Sequence, residues 1–411
     1  MIVNKYIDNY FLILFSLIPL SILIGSSASL INIILIDLSF LILIIYYRNF
    51  DFLKDKSILY LFLLYAYLIF NSFISIDFYE GFYRNFGFVR IIILFIAFNF
   101  FFLHEHFFKK VLKFWSIIIF VVLIDVYIES FTGKNILGFD GLQYGKRIVS
   151  FFKDEPIVGG YLNSFFLIVV GFFMRESKKI NFLLISLIII TFIMSILLTG
   201  ERSNTIKAFL GISLFILLIK SIDFKKKAFL ILATLTIILF SISNYHYLKQ
   251  RFEKQIKTSL MMNKGNVYLV LYTSGIKVFK NNKLFGVGNK NYRIETCNPE
   301  NVKIYTCNSH PHQIYLEFLA EHGIFGTILI FFILYKLIFS KILSTIKQNN
   351  YLKLGTLIYM VLVFTPIIPG GAFFSDYLLT IFCLNLSIFY ALDKRLNIFR
   401  NINSINIDRG R

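Results

Sequence analysis

The sequence has little charge and few cysteines. Only 16% of its 411 residues are charged, whereas about 25% are charged in an ordinary soluble chain, so a soluble enzyme, a collagen-like chain and a disordered chain are all excluded. Three cysteines are too few for a disulfide framework. Hydrophobic residues make up 57% of the chain, with 50 Phe and 24 Tyr, a composition typical of lipid-facing helices and interfacial belts. The chain is therefore predicted to be a membrane protein.

Apolar runs separated by short polar hinges predict an all-α polytopic membrane protein, because the strands of a membrane β-barrel would be about ten alternating residues long. A membrane span needs roughly 20 mostly apolar residues. The sequence predicts about twelve transmembrane helices in one membrane domain, residues 1–411, followed by a polar cytoplasmic tail, residues 393–411. The predicted spans lie near 10–24, 29–47, 57–75, 86–103, 114–130, 157–174, 180–199, 203–221, 228–244, 313–338, 354–373 and 376–392.

The net charge of +19 is first a signal of topology. With both termini in the cytoplasm, the cytoplasmic loops hold most of the Lys and Arg, as the positive-inside rule requires. The charges are scattered between apolar runs, so they do not form the basic face that nucleic-acid binding needs. The basic run Lys225, Lys226 and Lys227 is interpreted as a positive-inside anchor on the cytoplasmic side rather than as a site for an anionic partner. The first run is read as an uncleaved helix rather than a signal peptide cut near Ala28.

One stretch breaks this pattern. Residues 245–312 form a long loop on the outer, periplasmic side, and long loops are usually functional or disordered. Residues 268–279 carry apolar side chains at helical spacing, which predicts a helix along the membrane surface or over the bundle. Cys297 and Cys307 lie in this loop, where oxidation is possible, so we expect a disulfide directly before a pair of histidines.

Charged residues inside apolar spans are functional candidates, because they are costly to bury in a membrane. Arg90 and Lys207 lie near the outer ends of their spans, and Glu201 and Arg202 form a tight outer turn. Arg90 is also predicted to pair with Asp125 in a structural ion pair. Arg202 alone could be an interfacial snorkelling cation. Taken together, the outer cations suit an anionic lipid headgroup, since guanidinium binds phosphate in a bidentate manner.

His310 and His312 stand where the long loop enters the tenth span. Three interpretations remain open: a metal site with Cys307, Glu317 and His322, two plain loop histidines, or a general base. The spacing lacks H-E-x-x-H, so no metal site is predicted. A histidine can take the proton of an attacking hydroxyl near neutral pH, which favours a reaction at the membrane surface.

Two other motifs are interpreted as structural. Residues 286–290 lack the G-K-[ST] and G-x-G-x-x-G patterns of phosphate loops, so they are predicted to form a turn. Residues 104–106 contain two histidines on the cytoplasmic side and are predicted to be interfacial.

The histidine segment resembles the O-antigen ligase and polymerase superfamily of multi-spanning bacterial glycosyltransferases. Its ligases carry H-[NSQ], nine residues, and G-x-x-[GTY]; here His312-Gln313 is followed by nine residues and then by Gly323 and Gly326. Residues 199–203 resemble the family's outer turn with an essential Arg. Further similar segments are residues 151–155, 159–161, 284–288 and 369–374, so that the resemblance covers about 145–390.

The resemblance implies a GT-C-like helical bundle in the bacterial inner membrane, with membrane lipids around it. It implies transfer of a glycan from undecaprenyl diphosphate to an acceptor on the periplasmic face, without metal or other cofactor. His312 would be the catalytic base, and Arg202 would neutralise the diphosphate leaving group. His310, Glu201, Lys207 and Arg90 would contact substrate. The family's ligases have a second functional Arg in the long loop, for which Lys277 and Arg293 are the two candidates.

The acceptor distinguishes the functions that remain open. A ligase transfers the glycan to lipid A–core, and a polymerase transfers it to another lipid-linked repeat; the spacing from His312 to Gly326 favours the ligase. A polysaccharide flippase or other transporter would have a central charged cavity and paired repeats, and the sequence indicates neither.

Overall fold

The computed structural model is all-helical over the residues that it describes, which are 5–48, 50–153, 155–177, 181–254, 267–301 and 303–400. Residues 255–266 and 302 of the predicted loop, and 401–411 of the predicted tail, lie outside this set. In chain order the α-helices are α1 (Lys5–Ser16), α2 (Ile18–Ile24), α3 (Ser26–Tyr47), α4 (Lys56–Phe73), α5 (Phe78–Phe86), α6 (Val89–Phe101), α7 (Glu105–Thr132), α8 (Val158–Glu176), α9 (Phe182–Leu198), α10 (Arg202–Leu218), α11 (Phe224–Asn244), α12 (His246–Lys249), α13 (Val267–Asn281), α14 (Tyr292–Cys297), α15 (Ile314–Leu337), α16 (Ile342–Lys347), α17 (Tyr351–Val363) and α18 (Asp376–Ala391). A π-helical turn, Gln250–Lys254, follows α12.

Several of these helices are long and apolar enough to cross a membrane. Seven segments of the described residues meet this criterion, and the bent pair α1 and α2, with an angle of 41° between its helices, makes an eighth when it is counted as one span. The apolar helices α9, α17 and α18 are shorter, at 17, 13 and 16 residues. The chain is therefore a multi-pass membrane protein with at least seven candidate spans.

The predicted spans over 354–373 and 313–338 are not continuous helices in the structure. The segment predicted over 354–373 is helical only to Val363, and residues 364–375 form a loop before α18. Pro366 and Pro369 explain this early end, because proline lacks the N–H that a continuing helix needs. The helix predicted over 313–338 contains non-helical backbone at Gly323. The predicted loop helix is confirmed as α13.

The chain divides into two compact units. The first unit contains Met1–Ile36, Phe101–Thr258 and Leu343–Leu362. Its core includes Trp115, which is fully buried, and the Trp115 indole N–H donates to the Phe15 carbonyl over 2.8 Å. The Tyr161 hydroxyl donates to the Pro19 carbonyl over 3.0 Å. Buried Trp and Tyr side chains need such partners, and these two bonds join α1, α2, α7 and α8.

The second unit contains Asp37–Phe100, Ser259–Ile342 and Val363–Arg411. In this unit α13 and the segment around α14 pack against α15. The apolar cluster at this contact consists of Val278, Val287, Tyr292, Tyr305 and Ala320, all of them buried. Residues 267–301 of the long loop are therefore folded onto α15 rather than extended away from it.

Candidate functional site

His312 lies in the second unit at the entrance to α15, and its backbone is unusual. Its φ angle is 57°, a left-handed conformation that is uncommon for a residue other than glycine. Gln313 directly after it caps α15, because its side-chain oxygen accepts the Leu316 amide hydrogen over 2.8 Å. The His312 carbonyl accepts the Gly370 amide hydrogen over 2.9 Å. The His-Gln pair thus starts the helix and fixes the position of the imidazole.

The two imidazoles of the histidine segment form a close pair. The ring centroids of His310 and His312 are 4.0 Å apart. The ring nitrogens of His310 lie 3.3 Å from the Gly370 carbonyl oxygen and 3.0 Å from the Ser309 hydroxyl. No group of three or more His, Cys, Asp and Glu side chains suited to a metal ion occurs within the part of the chain that the structure describes.

Burial controls the protonation of this pair. Burial, together with the nearby His312, lowers the pKa of His310 to about 4, and the Gly370 carbonyl opposes the shift. Burial likewise lowers the pKa of His312 below its ordinary 6.5, again opposed by Gly370. Both imidazoles are therefore neutral at pH 7, the form in which a histidine can accept a proton.

Helix α13 and the loop over 364–375 surround His312. The Tyr268 ring centroid lies 6.1 Å from that of His312, with the rings nearly perpendicular. One turn further along α13, the Tyr272 hydroxyl donates to the Ile367 carbonyl over 3.0 Å. The long-loop helix therefore supplies one wall of the His312 site, as part of the same unit.

A buried carboxylate holds the other side of this loop. Glu317 is 1% exposed, and its two oxygens accept the Phe373 amide hydrogen over 2.9 and 3.1 Å. Since Glu317 lies in the first turn of α15, this contact joins the helix to the loop whose Gly370 binds both histidines.

A disulfide joins the two ends of the short segment before the histidines. Cys297 and Cys307 are bonded, with their Cα atoms 4.4 Å apart. Beside the bond, the Thr296 hydroxyl donates to the Asn308 carbonyl over 3.2 Å. These contacts fix residues 307–309 against the end of α14, so the backbone that leads into His310 is held in place.

The glycines after the histidine pair have a specific packing role. Gly323 has φ 63° and ψ −167° inside α15, a conformation available almost only to glycine. A Cβ at Gly323 would lie 2.4 Å from the Leu284 carbonyl carbon, and one at Gly286 would lie 2.4 Å from the Glu321 carbonyl carbon. Backbone hydrogen bonds join residues 283–288 to 320–325. The predicted turn over 286–290 is thus packed directly on α15.

Glu201 and its turn belong to the first unit. The Glu201 carboxylate accepts the amide hydrogens of Gly159 and Gly160, over 2.8 and 3.1 Å, at the start of α8. It also accepts the Asn204 side-chain amide over 2.6 Å. Burial raises the pKa of the Glu201 carboxyl, and Arg147 and these donors oppose the rise. The side chain predicted to contact substrate therefore holds its own turn against α8.

Arg202 and Lys207 lie on α10 directly after this turn, and both are half-buried. Neither forms an ion pair with any residue that the structure describes. A cation without a carboxylate partner, in the first turns of a helix, is available to an anionic ligand.

Two further arginines lie beside the same turn, and sequence reasoning missed both. The Arg251 guanidinium donates to the Gly200 carbonyl over 3.2 Å. The Arg147 Nη2 donates to the Pro156 carbonyl over 2.8 Å and lies 4.0 Å from Glu201. Arg251 belongs to the π-helical turn near the start of the long loop, before α13, whereas the sequence motifs pointed to cations in and after α13.

The two candidates for that second Arg are exposed in the second unit. Lys277 donates to the Ile304 carbonyl over 3.1 Å and so braces the loop. Arg293 extends from α14 without an ion-pair partner among the described residues. The contacts of Lys277 and Arg293 do not indicate a ligand for either side chain.

The predicted Arg90–Asp125 ion pair is wrong. Arg90 forms its ion pair with Asp376, at the start of α18. Asp125 instead accepts the Ile136 amide hydrogen over 2.8 Å and the Ser150 hydroxyl. The prediction used only depth along each span, and similar depth does not make two helices neighbours.

Comparisons with known proteins agree with the motif analysis. The family model described as O-antigen ligase matches residues 186–331, which include Arg202, His312, Gly323 and Gly326. No curated protein and no solved structure gives a significant match. The family implies lipid-linked glycan substrates and a function of the O-antigen ligase or polymerase type. The match over residues 186–331 therefore supports the resemblance of this chain to the O-antigen ligase superfamily.

Proposed function

We propose that this protein is a glycosyltransferase that moves a glycan from undecaprenyl diphosphate to lipid A–core on the periplasmic face of the bacterial inner membrane. The observation that carries the proposal is the environment of His312: a neutral, half-buried imidazole held through Gly370 directly before α15, within the segment that the family model matches. A neutral histidine held in this way suits a general base.

In the proposed reaction, an acceptor hydroxyl attacks the anomeric carbon of the donor glycan. His312 accepts the hydroxyl proton as the new C–O bond forms. The bond from the anomeric carbon to the phosphate oxygen breaks, and undecaprenyl diphosphate leaves with the bonding electrons. No oxidant, metal or nucleotide is required for this balance.

Arg202 is proposed to neutralise the charge that grows on the diphosphate as this bond breaks, because fixed cations act most strongly where charge develops. We propose that Arg251 also neutralises the diphosphate. It replaces Lys277 and Arg293 as the candidate for the second functional cation of the long loop. The hydrogen bond from Arg251 to the Gly200 carbonyl supports this assignment, because Gly200 lies one residue before Glu201 and two before Arg202. Lys207 completes the group of proposed donor contacts.

The topology proposed from the charge distribution has twelve spans, both termini in the cytoplasm and residues 245–312 in the periplasm. Cysteine labelling in cells tests it. A cysteine at Lys249 should react with a membrane-impermeant maleimide in intact cells, and a cysteine at Lys226 should react only after permeabilisation. The background reaction is small, because Cys297 and Cys307 are bonded and Cys383 is buried. Reaction of Lys226→Cys with the maleimide in intact cells would contradict the proposed orientation and favour the opposite one.

Gels of lipopolysaccharide and of lipid-linked glycan from cells that lack the gene test the function. Long chains that stay on undecaprenyl diphosphate, with bare lipid A–core, are expected for a ligase. Lipid A–core capped by a single repeat would indicate a polymerase instead. Complementation by the wild type should restore the pattern, whereas His312→Ala and Arg202→Ala should not, although both insert in the membrane. Unchanged patterns in the deletion would contradict both functions and favour a transporter or another surface glycan.

A further inference from the structure

A cleft in the second unit has no role in the proposed reaction. Its volume is about 390 Å³, and it is lined by α5 with the residue before it, by Arg90 of α6 and by the first residue of α18. Pockets of about 300–1,000 Å³ are typical of small-molecule sites. The lining combines two aromatic rings with five charged side chains, so the chemistry of these groups indicates what the cleft can hold.

Tyr79 and Tyr83 lie one turn apart on α5, and both are largely exposed, at 67% and 72%. Their ring centroids are 6.4 Å apart, and their planes differ by 27°. The two rings are therefore roughly parallel to each other along one side of α5, where both are accessible to a ligand. An exposed tyrosine ring with its hydroxyl suits a ligand that has both an apolar face and hydroxyl groups, which is the character of a pyranose ring.

Asp376 lies between two guanidinium groups and forms ion pairs with Arg84 and Arg90. A carboxylate between two guanidiniums is fixed in position, and each guanidinium has further N–H donors. The cleft thus presents fixed donors next to a fixed acceptor, an arrangement that suits neighbouring hydroxyl groups.

The charge balance of the cleft disfavours an anion. The carboxylates of Asp77, Glu80 and Asp376 outnumber the guanidiniums of Arg84 and Arg90 in the lining. A phosphate or an acidic sugar would meet this negative excess, whereas a neutral or amino sugar would not.

We propose that this cleft binds one uncharged or amino-bearing sugar residue of the glycan. Tyr79 and Tyr83 stack on the sugar ring, and Glu80, Asp376 and the two arginines bind its hydroxyl or amino groups. This inference rests on the proposed function, since it gives a glycan transferase a sugar subsite. Arg90 then acts as a neutralised hydroxyl donor rather than as a contact for a lipid phosphate.

Exposed tyrosines also occur in the interfacial belts of membrane proteins, so the test needs a control on the same helix. Phe86 provides one, because it lies on α5 and is 55% exposed but does not line the cleft. Loss of a belt residue would affect Tyr79→Ala and Phe86→Ala alike, whereas loss of a sugar contact would affect Tyr79→Ala alone.

Saturation-transfer difference NMR on the full-length protein in lipid nanodiscs measures the binding directly. The probes are the methyl glycosides of glucose, galactose, N-acetylglucosamine, glucosamine and rhamnose, with methyl glucuronide as the acidic comparison. At least one neutral or amino glycoside should bind, and Tyr79→Ala and Tyr83→Ala should each weaken its binding about threefold to tenfold. Glu80→Gln, which keeps the side-chain shape, should also weaken binding, and Phe86→Ala should leave it unchanged.

Three results would overturn the inference: binding of none of the neutral or amino glycosides, binding of the glucuronide alone, or equal loss in Tyr79→Ala and Phe86→Ala. His312→Ala separates this outcome from failure of the proposed function. That variant should lose transfer while it retains glycoside binding. A wild-type protein that binds sugar in the cleft but does not transfer glycan would contradict the proposed function alone.

Discussion

The Glu317 carboxylate accepts the Phe373 amide hydrogen over 2.9 Å and so ties the first turns of α15 to the loop that holds His312. Both ends of this contact are buried, and the loop itself lies between α17 and α18. His312 is bound to the same loop through Gly370. Glu317 is therefore a positioning residue, which acts on the imidazole through the backbone of residues 370–373.

Replacement of Glu317 should separate this positioning role from general stability. Glu317→Ala leaves the buried Phe373 N–H without an acceptor, which costs about 1–3 kcal/mol. We expect transfer by this variant to fall about 10- to 100-fold, because small displacements of a reacting group are costly. Glu317→Gln retains one acceptor oxygen and should recover most of the rate. Purified enzyme assays of kcat and KM, with melting temperatures, provide the measurement; equal loss of rate in Ala and Gln would contradict the positioning role.

The histidine pair predicts a one-sided dependence on pH. Since burial lowers the pKa of His312 below 6.5, the neutral base should persist through neutral pH, and kcat/KM should fall only as the pH decreases below 6.5. A rate that falls instead between pH 8 and 7 would exclude His312 as the titrating base.

The same shifts affect stability in the same direction. A histidine whose folded pKa is lowered binds its proton more readily in the unfolded chain, so its contribution is complete above pH 6.5 and is lost as the pH falls towards 4, the region in which His310 titrates. The melting temperature should therefore decrease over this interval. His310→Gln, which cannot titrate there, should flatten the decrease.

The disulfide should stabilise the approach to the histidines. Cys297 and Cys307 are separated by 10 positions, and closing a loop of this size contributes about 2–3 kcal/mol in the chain-entropy model. The Cys297→Ser, Cys307→Ser double variant should show faster hydrogen exchange over 292–312 and reduced transfer. Cys383→Ala is the matched control, since Cys383 is an unbonded cysteine buried in α18. Unchanged exchange in the double variant would show that the other contacts of this segment are sufficient.

The close approach of Gly323 predicts a large effect from one methyl group. Gly323→Ala would place a Cβ 2.4 Å from the Leu284 backbone at a φ of 63°, so α15 and the loop over 283–288 would have to separate. We expect a destabilisation of about 3 kcal/mol or more, in the range of severe overpacking and backbone strain, and strongly reduced transfer. Gly371→Ala should leave the melting temperature unchanged, because its Cβ would have no neighbour within 4 Å. Similar melting temperatures for the two variants would contradict this account.

The sequence alone predicted the all-helical class and the helices on either side of His312, α13 and α15. Long apolar runs predict spans because only a helix satisfies its own backbone in lipid, and the amphipathic spacing over 268–279 correctly predicted α13. The spacing from His312 to Gly326 also located the helix that the structure bends at Gly323.

Neighbour relationships between helices were not accessible in the same way. Depth along a span is one coordinate, so Arg90 and Asp125 looked compatible although Arg90 pairs with Asp376. Arg251 was missed for a related reason: its contact with Gly200 links positions 51 residues apart, and no local pattern encodes that contact. Prolines in residues 364–375 were visible, but the hydrogen bond from Gly370 to His312 was not.

If Arg251 contacts the donor diphosphate, its replacement should reduce the rate of transfer more than replacement of other cations in the same segment. Arg251→Ala should reduce transfer about 10- to 100-fold, because a fixed cation near a developing phosphate charge is lost. Arg251→Lys keeps the charge but not the planar fork, so it should recover only part of the rate. Lys249→Ala is the control, as an exposed cation two residues earlier. Initial rates and KM for a lipid-linked donor distinguish the variants, and equal rates for Arg251→Ala and Lys249→Ala would return the second cation to Lys277 or Arg293.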